Sequence, residues 1–148
     1  MNTKNVLISA LLSMTFFSIP AGAEQSQTFG DYTIHYNAIN TEMLDPTVAK
    51  AYGITRSKNR ALLNISVLKD HIGTTVHPVK AKVTATATNL TAQMRKIKIR
   101  ELEDAGAIYY IGEVPIHNEE TLEFDIQVQP EGSEETYKLK FQQQFFTE

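Results

Sequence analysis

Apolar and polar residues alternate one for one along most of this chain, the pattern of strands that turn one face to a core and the other to water. LEFDIQVQ (122–129) is the clearest case, with Leu122, Phe124, Ile126 and Val128 on one side and Glu123, Asp125, Gln127 and Gln129 on the other. VKAKVTATAT (79–88) sets Val79, Ala81, Val83, Ala85 and Ala87 against lysines and threonines. RKIKIRE (95–101) reads as one strand with Ile97 and Ile99 inward. YKLKFQQQF (137–145) places Tyr137, Leu139, Phe141 and, by parity, Gln143 on one face, and DYTIHYNA (31–38) does so with Tyr32, Ile34, Tyr36 and Ala38.

Two segments are apolar on both faces, which predicts central strands covered on both sides. ALLNISVL (61–68) carries Leu63, Ile65 and Val67 on one side and Leu62 and Leu68 on the other. AIYYIGEV (107–114) sets Ile108, Tyr110 and Val114 against Ala107, Tyr109 and Ile111. Asn64 shares the parity of Leu62, so it is either a satisfied polar core residue or the floor of a shallow site. Turn-forming clusters separate the runs, and one helix interrupts them at LDPTVAKAYG (44–53). There Asp45 suits the N-cap, Pro46 the first helical position and Gly53 a left-handed residue past the end. Leu44, Val48 and Tyr52 then share one helix face, enough to dock two turns on a sheet. About seven strands and one short helix predict an all-β fold, an immunoglobulin-like antiparallel β-sandwich.

The first 23 residues read differently. Lys4 precedes a mostly apolar run from Val6 to Ile19, and Pro20 is followed by Ala21, Gly22 and Ala23, the small-x-small pattern cut by a signal peptidase. The run falls short of the roughly 20 residues that span a bilayer. The expectation is a cleaved signal peptide (1–23, cut after Ala23), a periplasmic or secreted protein with no transmembrane segment, and a single domain over 24–148. The chain holds no cysteine, which excludes a lipid-modified N-terminal cysteine, disulfides, thiolate zinc sites and a cysteine nucleophile. A domain of about 125 residues must then be held by its apolar core alone. The net charge of −3 becomes −4 once Lys4 leaves with the signal, a balance that offers no field for nucleic acid or an anionic membrane.

The stretches AYGITRSKNRALLNISVLK (51–69), AIYYIGEVPIHNEETLEFDIQVQPEG (107–132) and YKLKFQQQFF (137–146) resemble the bacterial family known as domain of unknown function 4426. The resemblance runs from about Thr28 to the end. It implies a short exported protein of a Gram-negative bacterium with an immunoglobulin-like sandwich fold. It brings no activity, substrate or catalytic residue.

Candidate chemistry is sparse. His71 and His77 flank one loop with Asp70 beside them, from which a two-histidine, one-carboxylate metal site can be drawn, although the spacing matches no recognised ligand motif. The acids of ELEDAG (101–106) and NEE (118–120) gather at turns, where carboxylates are ordinarily solvated, and no calcium-loop pattern accompanies them. Ser57, Ser66 and Ser133 lie outside every nucleophile motif, and the seven glycines form no phosphate cradle. No cofactor is implied. Arg56, Lys58 and Arg60 recur at every second position ahead of the 61–68 strand, so an extended backbone would line them up about 6–7 Å apart. They form either an anion or partner contact or a charged loop shielding a sheet end.

Taken together, these features predict a non-catalytic binding or structural module of the cell envelope, whose partner is an envelope protein or glycan. The alternative is a metal- or small-ligand-binding periplasmic protein using His71, His77 and Asp70.

Overall fold

A computed structural model describes residues 24–70 and 75–148. Residues 1–23, where a signal peptide is expected, and His71 lie outside the described residues. Among the described residues ten strands form two antiparallel sheets, so the expected sandwich is present with more strands than the seven expected. The first sheet contains β1 (Gln25–Phe29), β2 (Tyr32–Asn40), β3 (Arg60–Lys69), β4 (His77–Pro78), β7 (Arg100–Asp104) and β8 (Ala107–Pro115). Its order is β1-β2-β3-β8-β7, and β4 pairs with β3 at Leu68 and Lys69, beyond the end of the β3–β8 pairing. The second sheet contains β5 (Ala81–Asn89), β6 (Met94–Ile97), β9 (Glu120–Pro130) and β10 (Tyr137–Phe145) in the order β10-β9-β5-β6. A 3₁₀ turn (Thr41–Met43) and a short helix α1 (Pro46–Ala51) connect β2 to β3. None of the described helices is long and apolar enough to cross a membrane.

The core lies where the alternation puts it. Ile34, Leu63, Ile65, Val67, Leu122, Phe124, Ile126 and Val128 are fully buried between the two sheets. Phe124 stacks on Phe141 with ring centroids 4.7 Å apart, and Tyr36 lies 5.1 Å from the same ring. Gln143 keeps its inward parity because its Nε2 donates to the Ala38 carbonyl at 2.9 Å, which pairs a polar group that faces the core side.

RKIKIRE is not one strand. Ile97 ends β6 opposite Ala85 in the second sheet, and Arg100 begins β7 opposite Ile111 in the first, so residues 98–99 carry the chain from sheet to sheet. Period two cannot separate a strand that stays in one sheet from one that changes sheets between two inward residues. The crossing presses against Gly112 of β8: a Cβ there would lie 2.4 Å from Ile97 Cγ2, 2.9 Å from Ile99 Cδ1 and 3.0 Å from the Lys98 carbonyl.

Two polar locks hold the sheets together. The Tyr110 hydroxyl accepts from Ala81 N at 2.7 Å and donates to Glu101 Oε2 at 3.0 Å, joining the start of β5 to β7 and β8. Burial, with the Glu101 carboxylate beside it, pushes the Tyr110 pKa up to about 12. Glu120 receives both terminal nitrogens of Arg95, at 2.6 and 3.0 Å, together with Asn89 Nδ2 and the His117 amide, and Arg95 Nη1 also donates to the Pro115 carbonyl at 3.0 Å, which ties this group to the end of β8 in the first sheet. Burial alone would raise the Glu120 pKa, but these donors outweigh it and bring it down to about 2.

Two tests follow from this packing. Gly112→Ala is expected to lower stability by about 1–3 kcal/mol in urea unfolding, and Ile97→Ala, which empties part of the core, is expected to cost less in that background than in the parent, because it removes the nearest clashing atom. An unchanged midpoint in Gly112→Ala would contradict the close approach. Because the Glu120 pKa falls on folding, its stabilisation is complete above its ordinary value of 4.5 and is lost as pH drops toward 2. Glu120→Gln is therefore expected to be less stable than the parent at neutral pH by roughly 2–3 kcal/mol, with the gap closing across that acid window. A gap independent of pH would speak against it.

Candidate functional site

Because β3 and β8 are both central, their outward side chains need a cover of their own. The β2–β3 connection supplies it. Asn40 Oδ1 accepts from Glu42 N and starts the 3₁₀ turn, and Asp45 Oδ1 accepts from Thr47 N at 2.7 Å and Val48 N at 3.4 Å to start α1. The backbone donors hold the Asp45 pKa below its ordinary value. Past the helix, Gly53 takes φ +65, and Ile54 N then donates to the Ala49 carbonyl at 2.8 Å, which folds Ile54 back onto the sheet.

The helix docks on a slightly different face from the one its spacing predicts. Ala49 is the buried helical residue and packs with Ile54, Leu62 and Ile111, with Leu44 and Tyr52 partly buried around them. Val48 stays 40% exposed. A small Ala49 lets a short helix approach the sheet closely, which a larger residue at that contact would prevent. The far end of the cover is pinned across 52 residues of sequence: Tyr52 Oη donates to Asp104 Oδ2 at 2.5 Å, and Arg100 Nη2 donates to the Tyr52 carbonyl. The Asp104 carboxylate raises the Tyr52 pKa.

Between this cover and the sheet lies a pocket of about 280 Å³. Its floor comes from β2, β3 and β8 through Asn37, Ile39, Leu62, Asn64 and Ile111. Its sides come from Leu44, Val48, Tyr52 and Ile54 around α1, and from Leu102 and Tyr109 on β7 and β8. Every lining residue is uncharged at neutral pH. Asn37 and Asn64 face each other in register, and Asn64 faces Ile111 on its other side. Asn64 Oδ1 is the one buried side-chain oxygen or nitrogen among the described residues that lacks a hydrogen-bond partner. Native proteins leave few such groups, because an unpaired buried acceptor costs about 1–3 kcal/mol. Of the two readings open for Asn64, the structure supports the floor of a shallow site. It also separates the two tyrosines, since Tyr110 faces the core and Tyr109 the pocket.

The other candidates take the following positions. Ser57 is tied to the fully buried Thr41 in both directions, Ser57 N to Thr41 Oγ1 at 2.9 Å and Thr41 Oγ1 to the Ser57 carbonyl at 3.0 Å. The loop that carries the cations is thereby strapped to the 3₁₀ turn. Arg56 Nη2 donates to the Glu42 carbonyl at 2.8 Å, and Arg60 pairs with Glu113 Oε1 at 3.5 Å. Lys58 is exposed and sits in a turn with Asn59, so the backbone does not stay extended through the triplet. Asp70 N donates to the Asp31 carbonyl, and His77 stands opposite Lys69, so Asp70 and His77 bracket segment 71–74. Among the described residues there is no group of three His, Asp or Glu side chains placed to share a metal ion.

The chain matches the family described as domain of unknown function (DUF4426) over residues 26–148, and it belongs to that family. It is similar to a crystal structure of a DUF4426 family protein from Pseudomonas aeruginosa PAO1, with 37% identity, a TM-score of 0.71, and coverage of 83% of this chain and 94% of the other. It shares its fold with FetP from uropathogenic Escherichia coli strain F11, expressed recombinantly in the periplasm of E. coli BL21(DE3). There the identity is 9%, the TM-score 0.61, and the coverage 84% of this chain and 95% of the other. A copper-bound variant of FetP gives 10% identity, a TM-score of 0.58, and coverage of 84% and 90%. At these identities the FetP likeness is one of fold. Comparison with curated protein sequences finds no match.

An orphaned buried acceptor between Leu62 and Ile111 makes Asn64→Leu a stabilising change. Chemical denaturation is expected to show a gain of about 1–2 kcal/mol over the parent. A loss of stability in Asn64→Leu would mean that the amide is already satisfied.

Proposed function

We propose that this DUF4426 family member is a non-catalytic binding module of the bacterial cell envelope, and that it binds through the pocket on the outer face of its larger sheet. The observation that carries the reading is the uncharged, mostly apolar concavity between α1 and the sheet, with Asn37 and Asn64 as polar members of its lining. Binding sites have this composition, an apolar lining with a few placed polar groups. Placement in the periplasm is supported by the charged, apolar and small-residue sequence of 1–23 and by the fold shared with FetP, which was expressed there. The protein is expected to leave the periplasm with a noncovalent adduct, or to capture one from envelope extract, as read by native mass spectrometry. Asn64→Leu is expected to lose that adduct. Equal adduct in both forms, or none after exposure to extract, would defeat the proposal.

A second reading is metal binding by His71, His77 and Asp70, supported by the copper-bound state of the FetP variant and by Asp70 and His77 lying at the two ends of one loop. It predicts heat on titration with Cu²⁺ or Zn²⁺ that a His71→Ala/His77→Ala variant abolishes. Heat unchanged in that variant would exclude these ligands.

A further inference from the structure

We propose that α1 and the residues just after it form a lid over the pocket, hinged at the two ends of the β2–β3 connection and latched by the hydrogen bond from Tyr52 to Asp104. Its purpose rests on the binding-module reading, whereas its motion is measurable without a ligand. The need for a lid comes from burial. Leu62 and Ile111 belong to the pocket lining, yet they are only 6% and 4% exposed, and Ile54 of the cover is 7% exposed. A molecule reaches these side chains only while the cover is lifted.

The ends of the connection are bonded to each other. Asn40 Nδ2 donates to the Lys58 carbonyl at 2.9 Å, Arg56 Nη2 donates to the Glu42 carbonyl at 2.8 Å, and Thr41 is joined to Ser57 in both directions. These bonds clamp 40–42 against 56–58. The Asn59 carbonyl accepts from Ile116 N at 3.0 Å and fixes the clamp to the sandwich. Between the clamped ends the hold is lighter. Ala49 and Ile54 pack on Leu62 and Ile111, and the remaining ties are polar and exposed, to Asp104, Arg100 and Glu113. A six-residue helix has no lasting stability of its own, so a segment held this way opens locally without the core.

The latch has a rigid seat. Asp104 ends β7 directly before Ala105 and Gly106, which both take positive φ, 47 and 83, and turn the chain tightly into β8. The Tyr52 hydroxyl reaches that carboxylate from the C-terminal end of α1, and the Arg100 guanidinium holds the carbonyl of the same tyrosine. Water competes for both exposed contacts, so the latch is able to release while the sheets stay closed.

The chain has no cysteine, so a single one placed under the lid reports its opening. In Leu62→Cys the thiol reacts with fluorescein maleimide, a reagent too bulky for a closed pocket of about 280 Å³. In Val67→Cys, buried between the two sheets, the same reaction requires the sandwich to unfold. At low reagent concentration each rate follows the open fraction. Ile126→Val, a change inside the sandwich core, is expected to speed labelling at position 67 and leave position 62 unchanged. Tyr52→Phe is expected to speed labelling at position 62 about threefold to tenfold, the worth of one hydrogen bond. Asp104→Ala is expected to act alike, and the two together no more than either alone, because they break the same bond. In the cysteine-free protein, amide exchange at Ile54, whose N–H is held by the Ala49 carbonyl, is expected to rise with Tyr52→Phe by the same factor. Equal acceleration of both positions by Ile126→Val would overturn the lid. An unchanged rate at position 62 in Tyr52→Phe would overturn the latch. That unchanged rate, together with an envelope adduct lost in Asn64→Leu, would sink this proposal and leave the binding-module reading standing; faster labelling with no adduct from envelope extract would do the reverse.

Discussion

The structure depends on one constraint: β3 and β8 lie in the middle of a sheet and are apolar on both faces. A sandwich buries only one face of each sheet, so the outward Leu62 and Ile111 require a second, separate cover. The β2–β3 connection meets that need with a 3₁₀ turn, a six-residue helix and a loop strapped to Thr41. Isolated helices this short do not persist in water. This one is held by its Asp45 cap, by Ala49 and Ile54 on the sheet, and by Tyr52 reaching Asp104. The pocket is the space where cover and sheet do not quite meet.

Much of this was legible from side-chain parity. Leu122 to Val128 alternated and were found fully buried on the predicted side, and the two doubly apolar segments became the two central strands of the larger sheet. The helix boundaries followed from Asp45, Pro46 and Gly53, because caps are local chemistry. What stayed hidden was long-range. The break at 98–99 keeps the parity of Ile97 and Ile99 on both sides, so only the β8 strand beneath, with glycine at 112, betrays the crossing. The additional strands β1 and β4 carry too few apolar residues to announce themselves and exist by pairing with β2 and β3. Helix spacing chose Val48 over Ala49, since periodicity counts apolar bulk and cannot see how closely a helix approaches.

The candidate site was half legible. Asn64 stood out by sharing the parity of Leu62 on a strand that leads into the core. Its pocket neighbours Tyr52, Leu102 and Tyr109 come from three separate segments, and nothing in local sequence joins them. The alternating cations drew attention instead, yet two of them find partners inside the chain, Arg56 at the Glu42 carbonyl and Arg60 at Glu113. Charge spacing along a sequence carries little information until the backbone path is known. An unpaired buried acceptor is informative for the opposite reason: it is a property of the packed fold, set by neighbours that only the tertiary structure brings together.

A crystal structure of the protein after exposure to envelope extract tests the central claim most directly. The account predicts a bound molecule in the pocket between α1 and the larger sheet. A pocket left empty, or a molecule bound elsewhere, would contradict it.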